Sequence, residues 1–181
     1  MGQCVDLQED RSIGEYWERQ FCAMAARFGH SMTPHQIGRG QSATAGCWRD
    51  NQWKMATLPD VTIWTRPGEH HEIKHKEPTR HGSVGLEDYR LRALDWFQRE
   101  TGQSVYYTLH LHNLADGRNG KTNDIRHWYT INVKQMVALI NSGGACRSSR
   151  MKTWCNGEVK HLLGWYWNIS EFQPLERLWA P

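Results

Sequence analysis

Residues 58–76 read LPDVTIWTRPGEHHEIKHK, and the spacing of three charged residues in this stretch decides how the rest of the chain is understood. Val61 to Trp64 is a run of strand formers, Arg66-Pro67-Gly68 has turn chemistry, and His70 to Lys74 returns as a second strand. Side chains alternate along a strand, so Glu72 and Lys74 share one face while Ile73 points to the other. A hairpin folded at this turn brings Asp60 level with Glu72 to Lys74. Two carboxylates and an ammonium then converge on one spot. Carboxylate oxygens are hard ligands suited to Mg²⁺ or Mn²⁺, and a neighbouring lysine orients or activates a water. The plain alternative is an exposed hairpin on which Glu72 and Lys74 form an ordinary cross-strand pair.

Pro59-Asp60 followed by Glu72-Ile73-Lys74 resembles the signature of the PD-(D/E)XK nuclease superfamily. A short acid-x-Lys string is a weak motif by itself. It gains weight from its setting, a hairpin with a helix before it and a long amphipathic helix after it. The resemblance covers about residues 12 to 133. It implies that Asp60 and Glu72 ligate Mg²⁺, with Mn²⁺ as a substitute, and that the carbonyl of Ile73 joins them. It also implies that Lys74 positions the attacking water or stabilises charge developing on the phosphate.

Moving outward, residues 12–28, SIGEYWERQFCAMAARF, have helical periodicity, with Trp17, Phe21, Met24, Ala25 and Phe28 forming an apolar stripe. Ser12 and Glu15 have the spacing of a capping box, and Gly29 supplies the stop. Nucleases of the resembled superfamily often bring a first-helix glutamate to the metal. Gly14-x-x-x-Glu18-Arg19 is similar to that element, which makes Glu18 the candidate and Glu15 the second choice. Residues 30–57 read as loop-rich. Arg39-Gly40-Gln41-Ser42 resembles the loop that precedes the hairpin in Holliday junction resolvases of this superfamily, with Arg39 and Ser42 as phosphate contacts.

Beyond the hairpin, residues 76–85 read as a polar linker, and residues 85–101, GLEDYRLRALDWFQRET, as the strongest helix, stopped by Gly102. Leu86, Tyr89, Leu91, Leu94 and Phe97 supply its buried side. Arg90, Arg92 and Arg99 form a basic ridge, from which the resemblance selects Arg90, with Tyr89, as auxiliary DNA contacts; Lys76 is a further one. Residues 104–112 alternate as a strand that places His110 and His112 on one face at a cleft edge. Another strand follows over 128–133 and a short helix over 133–141. Residues 147–152 read as an exposed basic loop whose Arg147, Arg150 and Lys152 are positioned for phosphate. A pair of strands flanks Asn156-Gly157, and at least one of Trp165, Tyr166 and Trp167 enters the core.

Composition bounds the reading without fixing it. The chain has 181 residues, a formal net charge of +3 and ten tryptophans, which suits one domain with a real core and is compatible with nucleic acid. No apolar run approaches a membrane span, the first thirty residues are too polar for a signal peptide, and five unpaired-looking cysteines fit a reducing cytoplasm. The expected architecture is α/β: a restriction endonuclease-like core over about 12–141, with a mixed central sheet flanked by helices. A β-rich extension occupies about 145–181 within a single nuclease domain.

The expected activity is metal-dependent hydrolysis of DNA phosphodiester bonds, selective for branched DNA in the manner of a junction resolvase. Such an enzyme acts as a homodimer, since two cuts need two sites. Three alternatives stay open: a sequence- or end-directed DNA nuclease, a non-catalytic nucleic-acid-binding module, and a histidine-based metal protein built on His70, His71, His75 and His81. The mixed strand parity of those histidines scatters them over both faces.

Overall fold

The structure, a computed structural model, describes residues 7–35, 44–49, 52–111, 124–155 and 158–179. In chain order the elements are α1 (Leu7–Arg27), β1 (Met32–Pro34), β2 (Thr44–Arg49), β3 (Gln52–Thr57), β4 (Val61–Ile63), β5 (Glu69–Lys76) and β6 (Ser83–Glu87). They continue with α2 (Asp88–Thr101), β7 (Ser104–Leu111), β8 (Trp128–Asn132), α3 (Val133–Asn141), β9 (Cys146–Cys155), β10 (Glu158–Asn168), β11 (Gln173–Pro174) and α4 (Leu175–Trp179). The main sheet has six strands in the order β1-β4-β5-β7-β8-β11. It is mixed, as expected: β5 and β7 run parallel, and the other pairs are antiparallel. A parallel pair cannot be closed by a tight turn, and here β6 and α2 make the crossover.

The two faces of this sheet carry separate apolar clusters. On one, Trp17, Phe21, Met24 and Ala25 of α1 pack on Val61, Ile63, Ile73 and Trp128, joined by Leu175 and Trp179 from the C-terminus. On the other, Leu91, Leu94 and Phe97 of α2 and Val133 and Met136 of α3 cover Val105, Tyr107, Leu109 and Ile131. A fully buried side chain such as Phe21 or Leu94 contributes about 2–3 kcal/mol. Trp167 is the member of the Trp-Tyr-Trp triplet that enters this second core.

Several boundaries depart from the sequence reading. α1 begins at Leu7, so Ser12 lies inside the helix rather than capping it; charged helix formers extend the helix upstream of the apolar stripe. Phe28 falls past the last turn and is exposed, though its ring lies 5.8 Å from that of Trp179. Residues 44–49 and 52–57 pair as the antiparallel strands β2 and β3 where a loop was expected. Residues 83–87, expected in the linker and the helix start, form β6, which pairs with β10. α2 therefore begins at Asp88, and Leu86 is buried from a strand. Gly102 does end it, at φ 68°, a left-handed conformation that glycine adopts without penalty. Residues 147–152 lie in β9 rather than in a loop.

Together β6, β10 and β9 make a three-stranded sheet behind α2. The C-terminal extension is also tied to the main sheet. β11 pairs with β8 at the edge of the main sheet, and the indole of Trp179 donates to Glu69 Oε1 at 3.0 Å. Among the described residues no helix is long and apolar enough to cross a membrane.

Candidate active site

β4 is three residues long, and its first residue, Val61, sits opposite His71 of β5. Past His71, β5 continues with no β4 residue beside it. That step in the sheet is where the charged residues gather. The Asp60 carboxylate folds into it, and its Oδ2 accepts the Ile73 N–H at 2.7 Å. The N–H and C=O of one strand residue point to the same side, so the Ile73 carbonyl also faces the side that β4 leaves open.

Alternation puts Glu72 and Lys74 on the α2 face and Ile73 on the α1 face, as the sequence indicates. Lys74 Nζ lies 2.7 Å from Glu72 Oε1 and 3.4 Å from Asp60 Oδ2. α1 delivers Glu18 from the opposite face, close enough for its charge to couple to Asp60, Lys74 and Glu72. The structure thus brings Asp60, Glu72 and Lys74 into contact, with Glu18 near enough to feel their charges. Glu15, half-buried one turn earlier, interacts electrostatically with Glu18.

The electrostatics follow from burial. Asp60, Glu72 and Glu18 are all buried, whereas the Lys74 side chain keeps 34% of its surface exposed. Lys74 is therefore the member of the cluster that meets solvent. Burial, reinforced by the neighbouring Asp60 carboxylate, pushes Glu18 up to about 7. Burial and the Glu72 charge likewise raise Asp60 to about 6, against the pull of Lys74 and Arg90. For Glu72 burial also acts upward, but Lys74 and Arg90 outweigh it and hold the group at about 2. The three acids divide: Lys74 and Arg90 keep Glu72 ionised, while Asp60 and Glu18 share too little positive charge.

Arg90 is the residue whose place the sequence reading missed. Instead of standing on an exposed basic ridge it is buried, with Nε 2.8 Å from Glu72 Oε1, Nη2 bonded to Glu72 Oε2, and Nη2 donating to the Leu58 carbonyl at 3.2 Å. A signal for this was present. Arg90 lies one turn before Leu94 and beside Leu91, inside the buried arc of the helix. Tyr89, expected on that buried side, is 63% exposed. Arg92 and Arg99 pair with Asp88 at 2.7 Å and Asp95 at 2.9 Å on the surface.

The remaining candidates are dispersed. Lys76 is half-buried at the end of β5, and burial lowers its pKa against the raising effect of Glu87. Arg147 and Arg150 are exposed on β9, the former 6.0 Å above the Trp165 ring. Arg39, Ser42 and His112 lie outside the described residues, as does the side chain of Lys152. His110 is not at an exposed edge but buried, with the Trp17 ring stacked on it at 3.5 Å and His75 Nδ1 3.0 Å from its own Nδ1.

Whether these residues suit a metal ion turns on their spare lone pairs. Asp60 Oδ1 and Glu18 Oε2 are buried without a hydrogen-bond partner, a costly state that a cation relieves. Glu72 is turned to Arg90 and Lys74, and among the described residues no three acids or histidines stand close enough together to form a ready-made ligand set. The donors are hard oxygens, which fit Mg²⁺ or Mn²⁺ and disfavour softer ions.

No protein-family model matches the chain, and no curated protein sequence does. In structure the chain is similar to Hjc of Archaeoglobus fulgidus, a Holliday junction resolvase from an archaeal hyperthermophile. The identity is 12%, the TM-score 0.49, and the match covers 93% of this chain and 96% of that one.

Proposed function

We propose that this chain is a metal-dependent DNA nuclease that hydrolyses phosphodiester bonds, with a preference for branched DNA. The observation that carries the reading is the convergence of Asp60, Glu72 and Lys74 at the step between β4 and β5, within electrostatic reach of Glu18, with unpartnered oxygens on Asp60 and Glu18. Phosphodiester hydrolysis meets two obstacles, an anionic electrophile and a poor nucleophile. A resident cation and an ammonium group answer both.

Asp60 and Glu18, with the Ile73 carbonyl and Glu72, would hold Mg²⁺ or Mn²⁺. Bound there, the ion would supply Lewis-acid polarisation of the phosphate and a more acidic water. Lys74 is the cluster's solvent-facing member, so its ammonium would orient the water and stabilise negative charge on the phosphoryl oxygens. Tyr89, Lys76, Arg147 and Arg150 provide exposed or half-exposed groups for the DNA backbone, and Arg39, Ser42 and Lys152 complete the proposed contacts. Paired incision across a junction would need a homodimer.

A second reading, a nucleic-acid-binding module without catalysis, draws support from one observation: both Glu72 oxygens are already engaged by cations of the chain itself. One experiment separates the two. A four-way junction, a Y-fork, linear duplex and single strand are each incubated with Mg²⁺, Mn²⁺ or EDTA, using the wild type and Lys74→Ala. Paired symmetric nicks confined to the junction support the resolvase form of the proposal. Cutting of duplex or forks keeps the nuclease and removes the branch preference. Binding with no metal-dependent cutting selects the module.

A further inference from the structure

We propose that Arg90 is a positioning residue that competes with a divalent cation for Glu72 and so sets the affinity of the site for that cation; the proposal rests on the nuclease reading above. Three N–H donors meet the two Glu72 oxygens: Arg90 Nε at 2.8 Å and Lys74 Nζ at 2.7 Å on Oε1, and Arg90 Nη2 on Oε2. The guanidinium takes the carboxylate with both arms in one fork, the strongest geometry available to such a pair. A divalent cation would draw on lone pairs of the same two oxygens.

The neighbouring acids show the contrast. Asp60 Oδ1 and Glu18 Oε2, which no guanidinium grips, have no hydrogen-bond partner. Arg90 Nη2 stands 3.8 Å from Asp60 Oδ1, beyond hydrogen-bond range but within ion-pair range, so the one guanidinium faces both acids. Its position is fixed from behind, because the same Nη2 donates to the carbonyl of Leu58, two residues before Asp60. The segment that delivers Asp60 thereby also anchors the competitor. Arg90 offers one delocalised positive charge where a metal would offer two, so the cluster holds together without an ion and releases Glu72 only to a stronger partner.

The test is Mn²⁺ titration by calorimetry, without DNA, at mildly alkaline pH. The full chain is compared as wild type, Arg90→Gln, Arg90→Lys and the double variant Arg90→Gln/Glu72→Gln, with circular dichroism and melting to establish folding. Arg90→Gln is expected to bind Mn²⁺ about tenfold more tightly, a typical size for coupling between adjoining sites. Arg90→Lys, which keeps the charge but loses the two-armed grip, moves the same way by less. The double variant, lacking both competitor and prize, returns towards the wild-type Kd.

A folded Arg90→Gln that binds Mn²⁺ no better than wild type overturns the competition and leaves the nuclease reading intact. Should Arg90→Gln fail to fold, Arg90→Lys decides on the same criterion. Mn²⁺ binding by no variant removes both this proposal and the metal-dependent reading beneath it. Binding seen in Arg90→Gln but too weak to detect in wild type supports the competition directly.

Discussion

Glu69 and Glu72 lie on the same strand, one turned to the α1 face and the other to the α2 face, yet the groups around them are finished to different degrees. Both oxygens of the Glu69 carboxylate are engaged. Oε1 accepts from the Trp179 indole at 3.0 Å and meets His71 Nε2 at 2.9 Å, and Oε2 lies 3.1 Å from Arg66 Nε. His71 Nδ1 continues to Thr108 Oγ1 at 2.7 Å, and that hydroxyl to Thr130 Oγ1 at 2.9 Å. Around Glu72 the bonding is crowded on one acid, while one oxygen of Asp60 and one of Glu18 have no hydrogen-bond partner. Fully satisfied buried networks fix a fold, whereas unsatisfied ones persist where something else is to be bound. The difference follows the sheet: Glu69 sits where β4 pairs with β5, and Glu72 lies past the end of β4.

The comparison breaks most sharply by substituting one acid from each cluster. Asp60→Asn keeps an oxygen for the Ile73 N–H and removes the charge. It is expected to lower cleavage by about a thousandfold, the scale on which electrostatic stabilisers act, with DNA binding and stability retained. Glu69→Ala should do the reverse. It strands His71, Arg66 and the Trp179 indole, and is expected to cost about 4 kcal/mol of unfolding free energy while the folded fraction keeps its specific activity. Urea denaturation and single-turnover cleavage measure both. If Asp60→Asn lost stability and kept activity, the roles of the two clusters would have to be exchanged.

How much of this was legible in the sequence depends on how far away the deciding partner lies. Val61, Thr62 and Ile63, the turn before Gly68 and the parity of Glu72 and Lys74 are local facts, so the hairpin and its convergence with Asp60 were readable. α3 was readable to the residue because Asn132 and Gln135 cap it reciprocally within one turn. β6 was not, since five residues in a polar stretch become a strand only through pairing with β10, about eighty residues later. His110 was placed on a face by alternation, but nothing local says that Trp17 covers that face. Arg90 is the instructive miss. Helical phase put it in the buried arc, and residue type argued for the surface, because a buried arginine needs a partner that only the folded chain supplies.

A smaller effect sharpens the contrast through pH. Glu18 has a folded value of about 7 against an ordinary 4.5. A raised carboxyl binds a proton more tightly when folded. Its stabilising contribution is therefore complete below about 4.5, declines as pH rises, and is lost above about 7. Glu18→Gln stays neutral throughout. In metal-free buffer it should match the wild type near the lower pH and exceed it by up to about 3 kcal/mol above the upper one. Denaturation at a series of pH values reads this directly, and a constant difference across the series would detach Glu18 from the acidic cluster. In cleavage assays with Mg²⁺, Glu18→Gln should lose more activity than Glu15→Gln.

The smallest expected effect belongs to a second arginine of α2 and tests whether burial, rather than charge on that helix, is what matters. Arg92 lies on the surface, 2.7 Å from Asp88 one turn away. Exposed pairs of this kind are worth about 0.3–0.5 kcal/mol because water and salt screen them. Arg92→Ala is therefore expected to shift stability by no more than that and to leave cleavage and Mn²⁺ affinity as they are. Its effect on DNA binding is the informative quantity. A backbone contact would reveal itself as weaker binding with a shallower salt dependence, since each neutralised phosphate releases counterions. That outcome would restore a basic ridge to the outer face of α2 and enlarge the DNA footprint. Unchanged binding at every salt concentration would leave Arg92 as a solvated partner of Asp88 and Arg90 as the arginine of this helix that bears on the site.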